Sequence, residues 1–164
     1  VSPLERVRHF IGGEPLDSAD GATFASVDPA DRTPWAEVAR GSAADVDRAV
    51  AAARTAFDGG PWPRMTQDAR SAVLHRLADA VEAHGDELAL LDTRDMGRPI
   101  SSTRGADIAR SAANLRFFAD DARTAADVAL PGRPNHHIYT RHEPAGVVAA
   151  ISPWNFPLMQ ASWK

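Results

Sequence analysis

The sequence predicts an α/β fold, and three observations carry that prediction. Between about positions 42 and 123, apolar residues recur three and four apart, the period of amphipathic helices. On either side the chain reads as extended, with alternation in Thr23-Phe24-Ala25-Ser26-Val27 and β-branched and aromatic content in Ile138-Tyr139-Thr140. Further on, Val147-Val148-Ala149-Ala150-Ile151 is apolar without alternation, as in a parallel strand buried on both faces.

In the first forty residues, Phe10-Ile11-Gly12-Gly13-Glu14-Pro15 has turn chemistry at its centre, and Asp28-Pro29 follows the alternating run. A small β-meander or hairpin is expected there. Ser42-Ala43-Ala44-Asp45 then resembles a capping box, with an acid near the positive helix end. The first helix carries Val46, Val50, Ala53 and Phe57 on one stripe and stops at Gly59-Gly60-Pro61. Thr66 is placed to cap a second helix with Val73, Leu74, Leu77, Ala80, Val81 and Leu88 facing inward, until Gly97-Arg98-Pro99 breaks the pattern. A third helix is expected over about 101–123, with Ile108, Ala112, Leu115, Phe118 and Ala122 on one side. Most charges on the three helices read as solvated faces. After Pro131-Gly132-Arg133-Pro134 a strand pattern runs over 137–142, Pro144 and Gly146 interrupt it, and the strand at 147–151 belongs to a different sheet.

Composition narrows the function. A net charge of −4 with no basic run argues against nucleic acid and anionic membrane as partners. The apolar runs are too short to span a bilayer. Glu5, Arg6 and Arg8 leave no apolar leader core, so no signal peptide is expected and a cytoplasmic location is the default. Cysteine is absent, which excludes disulfides, thiolate metal sites and a thiol nucleophile within these residues. His136 and His137 point to opposite faces of a strand, and His136 with His142 lacks a carboxylate pattern, so no metal site is expected.

The chemistry concentrates in Ser152-Pro153-Trp154-Asn155-Phe156-Pro157. The Asn155 carboxamide offers two N–H donors and does not titrate near neutral pH. A fixed neutral donor suits a place where an oxyanion develops, and prolines restrict the backbone on both sides. The competing reading is a loop asparagine that caps a helix beginning at Pro157. Lys164, seven residues after Pro157, would return to the same helix face about 10 Å down the axis and lean back toward Asn155. Its alternative is a surface lysine.

The motif at 152–157, followed by Trp163-Lys164, closely resembles the signature of the NAD(P)-dependent aldehyde dehydrogenase superfamily. Tyr139-Thr140-Arg141-His142-Glu143-Pro144-Ala145-Gly146-Val147 resembles the segment preceding that signature. Leu115-Arg116-Phe117-Phe118-Ala119 resembles a family helix, and Asp95-Met96-Gly97-Arg98-Pro99 a family turn. Gly60-Pro61-Trp62 and Asp28-Pro29-Ala30 also sit where the family has such residues. The resemblance runs from Phe10 onward.

The resemblance implies roles. Asn155 would donate to the oxyanion of the thiohemiacetal formed when a cysteine attacks an aldehyde, before hydride passes to NAD or NADP and water hydrolyses the thioester. Ser152, Pro153 and Trp154 would lie along the dinucleotide. Phe156, Met159 and Gln160 would line the substrate tunnel, with Ala106, Asp107 and Arg110 at its mouth. Lys164 matches a proton-relay lysine. Gln160 and Arg110 stand where many relatives are apolar, which suggests a polar or anionic aldehyde.

The family's nucleophile, general-base glutamate and pyrophosphate glycines have no match here, so the chain resembles the N-terminal third of such an enzyme and is expected to be silent alone. The implied organisation is a β-hairpin and helical part over 1–130, part of an oligomerisation β arm over 131–144, and over 145–164 the first strand of a Rossmann-like parallel sheet, the asparagine loop and the start of a helix. The implied assembly is a homo-oligomer, dimer or tetramer. The alternative is a non-catalytic remnant that associates with intact subunits.

Overall fold

A computed structural model describes residues 4–164; the first three residues of the stretch read for a leader lie outside it. Strand β1 (Glu5–Val7) runs parallel to β5 (Pro34–Ala39), which is antiparallel to β4 (Thr23–Val27), giving the order β1-β5-β4. Strands β2 (His9–Ile11) and β3 (Glu14–Leu16) form a separate hairpin with His9 opposite Leu16. Its turn places Gly12 and Gly13 at φ 65° and 92°. Two successive positive φ values are what a two-residue hairpin loop demands, and glycine adopts them without steric cost.

Helix α1 (Ala43–Gly59) begins with the expected capping box: the Asp45 N–H donates to Ser42 Oγ at 3.4 Å and the Ser42 N–H to Asp45 Oδ2 at 2.9 Å. Asp45 is buried and also accepts from the Ala19 N–H at 3.0 Å and Ser18 Oγ at 3.2 Å. The cap thus ties α1 to the loop after β3. Hydrogen bonds from Ser42 above all, and from Ala19 and Ser18, hold its carboxyl well below the usual carboxylate range.

The core lies among α2 (Gln67–Ala83), α3 (Gly85–Met96) and α5 (Ile108–Thr124). Ala78, Val81, Ala89, Ile108 and Ala112 form its buried cluster, with Leu88, Leu115 and Leu158 packed against it. Thr66 caps α2 by accepting the Ala69 N–H at 3.2 Å. Helix α3 ends at Gly97, whose φ of 76° is left-handed and whose added Cβ would sit 2.7 Å from Pro29 Cγ. Only glycine fits that position comfortably.

Several expectations are corrected. Much of the α1 stripe is uncovered, with Val46 59% and Val50 49% exposed, and only Phe57 is half-buried. On α2, Val81 is buried as expected, but Ser71 and Ala78 are its buried neighbours and Leu77 is 48% exposed. Alanine lets α2 and α5 approach closely, so the small residues take the interface. The single second helix is two, broken at His84. The third begins one residue earlier as α4 (Ile100–Ser102) and passes through a π turn, Thr103–Asp107, before α5. On α5, Ala119 is buried and Phe118 exposed.

Beyond α5, β6 (Ala129–Leu130) pairs with β7 (Ile138–Tyr139), a far shorter hairpin than the run over 137–142 suggested. Residues 147–151 form no strand, and Ile151 is 85% exposed. A parallel strand takes its hydrogen bonds from neighbours, and among the described residues none lies alongside. Helix α6 (Pro157–Ala161) is followed by a tighter turn, in which the Trp163 and Lys164 N–H groups donate to the Gln160 and Ala161 carbonyls at 3.3 and 3.2 Å. No helix among the described residues is long and apolar enough to cross a membrane.

Candidate functional site

The motif at 152–157 hangs from the helical core by α6. Pro157 opens α6 with its preset φ, and the Gln160 N–H donates to the Phe156 carbonyl at 2.8 Å. Leu158 then packs on the core cluster. Asn114 Nδ2 on α5 donates to Ser162 Oγ at 3.0 Å, fixing the other end of α6. Helix α6 is therefore held near both ends, by Leu158 on the core cluster and by Ser162 on α5, and the motif hangs from its start.

Asn155 is exposed, and among the described residues its carboxamide has no hydrogen-bond partner. The residue at the cap of α6 is Phe156, without a side-chain cap. The helix-capping reading of Asn155 is therefore not realised, and its donors face outward. Ser152, Pro153 and Trp154 are exposed, and no hydrogen bond among the described residues uses the backbone of 147–154. Such groups need water, a neighbouring strand or a ligand as partner.

An open groove of about 540 Å³ runs between α5 and the last turns of the chain. Ala106, Asp107 and Arg110 line one side; Met159 and Trp163 line the other. Four residues named from the sequence thus come together, and Trp163 joins them unforeseen. Its signal was available: Trp163 follows Met159 by four residues, one helical turn. Gln160 is half-buried. Lys164 is exposed, lies beyond α6, and is not carried back toward Asn155 along a helix.

The sequence also gave no warning of Arg98. Its guanidinium forms a two-pronged ion pair with Asp107, through Nε to Oδ2 and through Nη2 to Oδ1 at 3.3 Å. Asp107 is 8% exposed at its side chain. The same guanidinium lies over the Phe156 ring, 4.5 Å from its centroid. Asp92, half-buried on α3, faces a different environment. Burial, then the nearby charges of Asp107 and Asp95, push its carboxyl up to about 6. Among the described residues no group of three or more His, Cys, Asp or Glu converges as a metal site.

The family model for the Aldehyde dehydrogenase family matches residues 16–164. Among curated relatives, "Aldehyde dehydrogenase family 2 member B4, mitochondrial" of Arabidopsis thaliana is 45% identical over all of this chain and 31% of its own length. "NADP/NAD-dependent aldehyde dehydrogenase PuuC" of Escherichia coli K12 is 44% identical over 96% of this chain and 32% of its own. Among solved structures, an indole-3-acetaldehyde dehydrogenase in apo form superposes with a TM-score of 0.92 at 43% identity, covering 99% of this chain and 37% of that one. An NAD+ complex of a Bacillus cereus aldehyde dehydrogenase superposes with a TM-score of 0.93 at 40% identity, covering 97% and 32%. The mixed α/β architecture is thus that of the N-terminal part of these structures, and the chain spans about a third of the length of the curated relatives it matches. The chain belongs to the aldehyde dehydrogenase family.

Proposed function

We propose that this chain forms the N-terminal third of an oxidoreductase that oxidises aldehydes to carboxylic acids with NAD or NADP, and that Asn155 is its oxyanion donor. One observation carries the reading: the Asn155 carboxamide is unpartnered and exposed two residues before α6, which Leu158 and Ser162 anchor on the helical core. Donors held in advance of the reaction stabilise developing charge without reorganising. The thiolate that attacks the aldehyde is supplied from outside these residues, which contain no cysteine.

Ser152, Pro153 and Trp154 would lie along the dinucleotide; their exposed, unpartnered backbone supports that role. When bound, the dinucleotide accepts a hydride. A relative named as NADP/NAD-dependent and a neighbour solved with NAD+ support the same cofactor class. Phe156, Met159, Gln160, Ala106, Asp107 and Arg110 would shape the aldehyde's path, and Lys164 would relay a proton. The Arg110 cation in the groove favours a polar or anionic aldehyde. The hairpin β6–β7, with Leu130, Ile138 and Tyr139 exposed, would serve an oligomerisation arm.

In the complete enzyme, Asn155→Ala should lower kcat on the order of 10²–10³-fold and leave coenzyme affinity unchanged. An unchanged kcat overturns the proposal. The chain alone should not reduce NAD with any aldehyde. A second reading, a non-catalytic remnant that joins intact subunits, draws on the same exposed hairpin; co-purification with a larger relative from the native source tests it.

A further inference from the structure

Resting on the proposed role of Asn155, we infer that Arg98 is a positioning residue, holding the Asn155 loop against the helical core through Phe156. At the π turn over Thr103–Asp107, the Ile108 N–H reaches back to the Thr103 carbonyl. A π turn inserts an extra residue and redirects the side chains that follow. Thr103 is fully buried inside it and fixed by bonds of 3.1 Å to the Ile100 carbonyl and to Thr93 Oγ1. The turn delivers Asp107 into the interior, where an unpaired carboxylate would be costly.

Arg98 meets that carboxylate with both prongs of its fork. The pairing fixes the guanidinium plane, because a two-pronged carboxylate contact specifies orientation as well as distance. Its flat face is left for Phe156, 4.5 Å away. Phe156 follows Asn155 directly in the chain, so holding the Phe156 ring restrains the backbone next to Asn155. The restraint runs from the π turn through Asp107, Arg98 and Phe156 to the Asn155 backbone, and Gly97 makes it possible by turning the backbone out of α3 immediately before Arg98. Lysine would keep the charge but lose the fork and the stacking plane.

The test is a double-mutant cycle in the complete enzyme. Arg98→Met should lower kcat between about tenfold and a hundredfold, since a misplacement of about 1 Å costs on the order of a hundredfold. KM for the aldehyde should change less than kcat, because Arg98 reaches the aldehyde's path only through Asp107 and Phe156. In an Asn155→Ala background the same change should alter kcat within about twofold, since the group being positioned is gone. Arg98→Lys, which keeps the cation and the fold, should fall between wild type and Arg98→Met. Equal kcat losses in both backgrounds would overturn the inference in favour of a general structural role, as would an undiminished kcat in Arg98→Met or Arg98→Lys. If Asn155→Ala itself leaves kcat intact, the oxyanion reading fails first. If Asn155→Ala is crippled while Arg98→Met is not, only the positioning role fails.

Discussion

Replacing Leu158 by alanine should undock the Asn155 segment without unfolding the helical core. Leu158 is the apolar anchor of α6, packed on the cluster of Val81, Ile108 and their alanine neighbours. Leucine-to-alanine changes in full cores cost about 2–5 kcal/mol, and a half-buried leucine falls at the low end, about 2 kcal/mol. The other anchors are the Asn114–Ser162 hydrogen bond, about 1 kcal/mol, and the Arg98–Phe156 stacking, about 0.5–1 kcal/mol. A helix of five residues has no stability of its own. Removing Leu158 therefore takes away about half of what holds it, and the opened population rises on the order of 30-fold. Rapid-quench hydrogen exchange reads this directly. The Gln160 and Ser162 amides, which donate to Phe156 and Leu158 at 2.8 and 3.0 Å, should exchange correspondingly faster. Amides in the middle of α2 and α5 should be unaffected. Uniform acceleration across α2, α5 and α6 would show that the segment belongs to one cooperative unit with the core. Unchanged exchange at Gln160 and Ser162 would show that Leu158 is not the anchor.

Three further outcomes follow from the same structure. Gly97→Ala should destabilise the chain by at least about 1–2 kcal/mol, from the left-handed backbone alone, with the contact to the Pro29 ring in addition; an unshifted urea midpoint would refute it. Asp92 has a folded pKa of about 6, above the ordinary 3.8, so its proton is bound more tightly in the folded state. Its contribution is fully present below about 3.8 and is lost as pH rises through 6. Asp92→Asn should therefore gain stability relative to wild type across that window and stay ahead at pH above it, read as the difference in urea midpoints; a constant difference from pH 4 to 7 would contradict the assignment. Arg110→Leu in the complete enzyme should raise KM for an anionic aldehyde more than for an aliphatic one; equal effects, or a wild-type preference for long aliphatic aldehydes, would remove the charge argument.

The caps and stops of this fold were legible because they are local. Ser42 with Asp45, Thr66, and the Gly59-Gly60-Pro61 stop all act within a single turn of chain, and the structure has them where the residues put them. The helix faces were less legible. Ile108 and Ala112 are buried as expected, but hydrophobicity ranks Leu77 and Phe118 above alanine, and close packing of α2 on α5 selects Ala78 and Ala119 instead. The break at His84 and the π turn at Thr103–Asp107 escape a 3.6-residue reading because each falls outside the apolar residues it uses, the first between Val81 and Leu88 and the second just before Ile108. Residues 147–151 have the composition of a buried strand, but composition cannot supply a neighbouring strand, and here they stand unpaired. At the candidate site, the Pro-Trp-Asn-Phe-Pro motif singled out Asn155, and the segment's anchors were hidden. Arg98 and Asp107 are nine residues apart across a turn and a helix, so their pairing is a tertiary fact. The line from Pro157 to Lys164 departs from the expected α-helical path because the last residues, Trp163 and Lys164, bond back three residues and not four.

The central claim is that Asn155 offers neutral hydrogen-bond donors to a developing oxyanion, and the most direct measurement compares Asn155→Asp with Asn155→Ala in single-turnover oxidation of an aldehyde by the complete enzyme. Aspartate keeps the size of the side chain but replaces the donors with a negative charge. The account predicts that Asn155→Asp is at least as slow as Asn155→Ala, with both reduced on the order of 10²-fold or more. Activity in Asn155→Asp close to wild type would contradict it.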